Sequence, residues 1–245
     1  MTSPLPLAPA KTSSQRWIVI VLVVLLCGGV IASGYLFLRN LRAQREAAVQ
    51  HAKTPPPANS DDAVAARALS NYLARIRAQF RDHDADFLRL QQQKALSWNI
   101  HSRADIERDR KIIHDFLTTN TRLTETLRYG EGFIRAELNS AKVPAAIRDS
   151  AVDLYAKSQG PLLPLQIHVR QCDQVIGENA LAVLDLLDFN WGAWGRDEAT
   201  GRLDFTNTIT LATFRDYVGK IEAAAAERED AQQQLTRYQE RRRSP

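Results

Sequence analysis

Trp17 to Leu38 is an unbroken run of 22 residues without a charge, WIVIVLVVLLCGGVIASGYLFL, and no other segment constrains the chain as strongly. At 1.5 Å per residue a helix of that length spans about 33 Å, against a bilayer hydrocarbon core of about 30 Å. Trp17 and Tyr35 lie near its ends, where amphipathic rings favour the headgroup level, and Arg16 and Arg39 close it on both sides. The run is expected to be a single transmembrane helix (17–38) behind a short N-terminal tail (1–16).

Two other readings of the run are weaker. Ala32-Ser33-Gly34 offers small residues for signal-peptide cleavage, but Tyr35-Leu36-Phe37-Leu38 carries the apolar stretch past that point. A lipid-modified Cys27 would need a small residue where Leu26 stands. Orientation has two opposing signals. Arg39, Arg42, Arg45 and Lys53 follow the run and Lys11 and Arg16 precede it, so a bare count of basic residues places the C-terminal side in the cytoplasm. A short basic tail leading directly into an apolar run nevertheless has the form of an uncleaved signal anchor, and long following domains cross with little regard to charge. The expected arrangement is the bacterial inner membrane with the C-terminal domain outside the cytoplasm. Gly28 with Ala32, and Gly29 with Ser33, form small-xxx-small pairs that would let two such helices approach closely, making a homodimer through the membrane helix one expected contact besides the bilayer.

Charge excludes one class of partner. Residues 1–38 hold two basic and no acidic residues, so the remainder carries 32 − 2 = 30 basic against 28 acidic. That near balance argues against nucleic-acid binding, which needs a strongly basic face. Cys27 falls within the membrane run and leaves Cys172 alone beyond it, so no intrachain disulfide framework is expected. Arginine far outnumbers lysine, as in GC-rich bacterial genomes. Arg241-Arg242-Arg243 reads as a frayed basic helix end, at which the helical domain gives way to a short disordered tail (242–245).

Residues 39–60 form a basic stub and a spacer, because Pro55-Pro56-Pro57 favours extended polyproline II over helix. The domain that follows (61–241) reads as helices throughout. Tyr72/Leu73, Ile76, Phe80, His83, Phe87 and Leu90 recur four and three apart behind Ser60, Asp61 and Asp62, which suit a helix start. A second helix begins at Ser102 with Asp105 in a capping-box arrangement and continues through Leu138, weakened at Gly130 and Gly132. Pro144 and Pro164 each suit the first turn of a further helix, with a stop at Gly160-Pro161 between them. Trp191 to Phe205 is rich in turn residues and reads as a loop or small β-hairpin. A final helix of about 30 residues follows, with Thr210 expected at its cap. If the two proline-started segments form one bent arm, four arms of comparable length make an all-α, elongated antiparallel four-helix bundle.

Motifs for chemistry are absent from the sequence. There is no Gly-x-Ser-x-Gly elbow, no Cys-x-x-Cys and no glycine-rich phosphate cradle, and Glu-x-x-His, which di-iron bundles need, does not occur. No catalytic residue, cofactor or metal is therefore assigned. His168 and Cys172 lie four apart on one helix face, a metal-ligand geometry that needs closing in space by His83 or His114. His83, Asn120, Asn179 and Cys172 fall on or beside apolar stripes, where polar residues usually set helix register. His83 is expected to be buried, hydrogen-bonded and harder to protonate than a free histidine. In the cluster Asp82-His83-Asp84 with Asp86, consecutive residues point to different faces of a helix, so the cluster cannot form one catalytic centre.

Trp191 and Trp194 in a glycine-rich turn first suit a plug for the bundle end, which needs a large apolar cap; as an exposed platform, Trp191, Trp194 and Arg196 would instead be the residues that engage a protein partner. Gly201-Arg202-Leu203-Asp204-Phe205 ahead of a long helix is similar to segments of bacterial envelope helical proteins, over too few residues to carry a function across. The sequence thus leads to a membrane-anchored structural or protein-interaction module of the cell envelope. The alternative is a ligand-sensing bundle that works through a separate signalling partner, since sixteen N-terminal residues cannot form an output domain.

Overall fold

Ser60 ends the spacer and starts the first helix, its Oγ accepting a hydrogen bond from the Ala63 amide at 3.3 Å beside Asp61 and Asp62. The computed structural model describes residues 60–197 and 202–241. The apolar run 17–38 expected to span a membrane, the residues up to 59 and the tail 242–245 lie outside the described residues, and with them Gly28, Gly29, Ala32 and Ser33. No described helix is long and apolar enough to cross a membrane.

Helix accounts for 81% of the described residues, in six segments. α1 (Asp61–Gln92) is about 48 Å long at 1.5 Å per residue. A loop in which Lys94 and Trp98 take positive φ leads to α2 (Arg103–Arg128), which starts on the reciprocal Ser102/Asp105 capping box. Then come α3 (Gly130–Ser140), α4 (Ala145–Gln159) and α5 (Leu163–Phe189), with Pro164 in the first turn of α5. A two-stranded antiparallel ribbon follows, β1 (Trp194–Arg196) on β2 (Leu203–Phe205), in the register Trp194 to Phe205 and Arg196 to Leu203. α6 (Thr208–Arg241) closes the fold.

The long helices run antiparallel to their neighbours, as contact pairs along each seam show. On α1 and α2, Arg89 meets Asp115 while Tyr72 reaches Thr126. On α2 and α5, Arg110 meets Asp185 while Asn120 reaches Arg170. On α5 and α6, Asp173 meets Arg228, while Leu162 and Val169 cluster with Ala231 and Leu235. The hairpin end therefore lies where α1 finishes, a full helix length from Ser60.

Three expectations are corrected. The helix beginning at Ser102 does not continue to Leu138 but breaks at Tyr129. Tyr72 Oη donates to the Thr126 carbonyl and lies 3.3 Å from Tyr155 Oη, and a Cβ on Gly130 would stand 2.3 Å and 2.5 Å from those two hydroxyl oxygens. Gly130 thus lets two tyrosines reach the helix end, whereas Gly132 has open space around it. The two proline-started segments are also not one arm. α4 folds back with α3 against the first half of α1, where Val152 and Tyr155 pack on Ala65, Ala68, Tyr72 and Ile76, and α5 forms a long arm by itself. Finally, Asn207 rather than Thr210 caps α6, accepting from the Ile209 amide at 2.8 Å, while Thr210 is buried one turn in.

Candidate functional site

The hairpin end divides the residues that the sequence singled out. Trp194 turns inward, its indole Nε1 donating to the Leu187 carbonyl at 2.8 Å and its ring packing on the core of Phe116, Leu184 and Leu187. Trp191 stands edge-on to it, with ring centroids 5.4 Å apart, and faces outward beneath the Arg103 guanidinium at 5.7 Å. Asp188 holds Arg103 in place at 3.3 Å. Arg196 is half-buried on β1. Two residues the sequence reading passed over are more exposed than either tryptophan: Phe189 at 89% and Ile209 at 74%. Helix termini cannot bury every apolar residue they carry, and which ones stay outside depends on where the neighbouring helices stop.

Midway along the molecule a buried charge cluster joins three helices. Asp173 of α5 accepts from Arg228 Nε of α6 at 2.6 Å, and Arg170 Nη2 stands 3.1 Å from its other oxygen. Arg170 Nη1 reaches the ring nitrogens of His83, on α1, at 2.8 Å. All four side chains are buried. Arg228 also lies over the face of Phe87, its Cζ 4.9 Å from the ring centroid, where the ring quadrupole attracts the cation. Asn120 adds a neutral tie, donating to the Arg170 carbonyl at 2.9 Å.

The protonation states follow from this geometry. Burial pushes the His83 pKa down, the Arg170 charge pushes it further, and Asp84 and Asp173 oppose both only in part. His83 is therefore a neutral acceptor for Arg170, and its contacts of 3.7 Å with Asp84 and 3.6 Å with Asp173 are not charge pairs. Burial alone would raise the Asp173 carboxyl, but Arg170 and Arg228 outweigh it and hold the group below the ordinary carboxylate range. The expectation of a buried, poorly protonated His83 agrees with this arrangement.

The second constellation is a groove between α5 and α6 of about 380 Å³, lined by His168, Cys172, Val175, Lys220, Ala223 and Glu227 among others. His168 and Cys172 share one face of α5, with Nε2 and Sγ 3.9 Å apart. Glu227 completes the cluster from α6, the three ligand atoms lying within 4.8 Å of one another. Neither His83 nor His114 closes the set: His83 points into the charge cluster and His114 is exposed on α2. Burial, with the charges of Glu227 and Asp173, pushes the free Cys172 thiol up to about 11, so uncomplexed it is no nucleophile at neutral pH. Asn179 sits on the helix flank, bonded to the Val175 carbonyl of its own helix.

Arg170, Asp173, Arg228 and Glu227 escaped the sequence reading, although the signal for two of them was present. Ile221, Ala224, Arg228, Ala231 and Leu235 form a three–four stripe in which Arg228 fills one slot, as His83 does on α1. Asp173 fills a slot in the stripe Gln166, Val169, Ile176, Ala180. A charge in an apolar stripe implies a partner in another stripe. No protein-family model matches this chain, and no curated protein or solved structure matches it. The site must be read from its own chemistry.

Proposed function

We propose that the chain is a single-pass protein of the bacterial inner membrane that holds an elongated antiparallel four-helix bundle outside the cytoplasm and presents its far end to a protein partner. The observation that carries this reading is the exposure of Phe189, Ile209 and Trp191 at the hairpin end, roughly one 48 Å helix away from the point where the chain leaves its spacer. Exposed aromatic and aliphatic side chains beside an arginine are the residue types that anchor interfaces. Residues 17–38 supply the anchor, Pro55–Pro57 the spacer, and Trp194 the support under Trp191. Gly28, Gly29, Ala32 and Ser33 would pair two anchors in the bilayer. The reading involves no enzymatic step. A ligand sensor working through a separate signalling partner is the alternative, favoured only by the α5–α6 groove.

Two measurements test the proposal together. A reporter active only outside the cytoplasm, fused after Pro245, should be active, and activity of a cytoplasmic reporter at that site refutes the orientation. A photo-crosslinking residue at Phe189 in intact cells should yield one discrete protein adduct, absent when the same residue replaces Glu222 on the side of α6. Equal labelling from both positions refutes a tip-specific partner.

A further inference from the structure

We propose that His168, Cys172 and Glu227 bind one zinc-class divalent ion that clips α5 to α6 and keeps one coordination position open toward the groove. Imidazole, thiolate and carboxylate together suit a borderline-soft ion such as Zn²⁺, and three protein ligands with one open position is a common arrangement for it. Mg²⁺ and Ca²⁺ prefer all-oxygen sets and are disfavoured by the sulfur.

Distance supports the same assignment. Zn–S of about 2.3 Å and Zn–N of about 2.0–2.1 Å at a tetrahedral angle place sulfur and nitrogen about 3.5 Å apart. Cys172 Sγ and His168 Nε2 are 3.9 Å apart, so a rotamer adjustment of a few tenths of an ångström suits that pair, and the exposed Glu227, whose ligand atom lies within 4.8 Å of the other two, closes the set by swinging inward. The two ligands come from adjacent turns of α5, whose position is held by the Asp173–Arg228 pair one residue from Cys172 and one from Glu227. Glu227 lies across the seam, so the ion would join two helices rather than decorate one. Lys220, the cation lining the groove, is paired with Asp216 at 2.6 Å and so is not directed at the cluster alone. The cluster also lies in a groove with room for a fourth ligand beside the ion, which a purely structural packing contact would not need. This inference stands apart from the tip reading: either one can fail while the other holds.

The full chain in detergent micelles is titrated with Co²⁺ as a spectroscopic probe and with Zn²⁺ in competition. The expected result is one ion per chain, a thiolate-to-cobalt charge-transfer band, visible bands of tetrahedral intensity, and displacement by Zn²⁺. Glu227 is exposed, so Glu227→Gln should leave the helical circular dichroism unchanged and weaken binding about tenfold or more. Cys172→Ser should abolish the charge-transfer band, and His114→Gln should change nothing. Absence of stoichiometric binding overturns the proposal. So does binding that survives unchanged in Glu227→Gln or in a His168→Gln/Cys172→Ser double variant, because the ion would then sit elsewhere, for instance on Cys27 or His51.

Discussion

Asp173 is a carboxylate on which two buried guanidiniums converge, and neutralising it should remove a large share of the domain's stability. Arg228 Nε donates to one oxygen at 2.6 Å and Arg170 Nη2 stands 3.1 Å from the other, with the Asp173 side chain 1% exposed. At an effective dielectric near 20, each unit-charge pair about 4 Å apart contributes about 4 kcal/mol of attraction. Desolvation of the carboxylate offsets several kcal/mol of that sum, but in the Asp173→Asn variant the two arginines remain buried and lose their counter-charge. The expected cost is about 3–5 kcal/mol, the range for breaking one side of a buried ion pair. Domains of this size have about 5–15 kcal/mol in total, so anything from about a fifth of the stability upward is at stake. Replacing the cluster as a whole is a different perturbation. Arg170→Met, Asp173→Leu and Arg228→Met together should cost far less than Asp173→Asn alone, because no uncompensated charge is left behind. Urea unfolding of the full chain in mild detergent, followed by helical circular dichroism, measures both. A shift below about 1 kcal/mol for Asp173→Asn would refute the reasoning, as would a triple variant less stable than the single one.

Two further outcomes follow from the same packing. Because the folded-state pKa of His83 lies below its unfolded value near 6.5, the unfolded chain binds the proton more readily, and the histidine's contribution is fully present above that value. Stability should fall as pH drops through about 6.5 toward the folded pKa, with a slope of up to about 1.4 kcal/mol per pH unit, and His83→Leu should flatten that stretch of a urea-midpoint profile. Gly130→Ala should destabilise by more than about 1 kcal/mol in thermal unfolding, since its Cβ would overlap both tyrosine hydroxyls, while Gly132→Ala, with open space around it, should stabilise by about 0.5–1 kcal/mol.

Helix positions were legible in the sequence because their determinants are local. The Ser60 cap, the Ser102/Asp105 capping box, the proline-started turns and the three–four stripes all act within one or two turns of the residues that carry them. The ribbon between Trp191 and Phe205 was legible for the same reason, as glycines and aspartates mark turns by their own backbone preferences. His83 could be placed in the core because a stripe locates every residue on it, polar or not. What covers a stripe is not local. Whether Gly130 breaks a helix depends on two tyrosines 58 and 25 residues away in the chain (130 − 72 and 155 − 130), and whether α4 extends α5 or folds back depends on the surface that α1 offers it. The partner that closes the His168–Cys172 pair is Glu227, more than 50 residues distant and unmarked by any motif. The charge balance around Asp173 exists only once side chains from α1, α5 and α6 meet in the interior. Backbone propensity and periodicity act along the chain, so the sequence determined the elements and their buried faces; Coulomb and packing terms act through space, so only the tertiary structure decided which charges meet, which aromatic rings stay outside, and where three metal-ligating side chains converge.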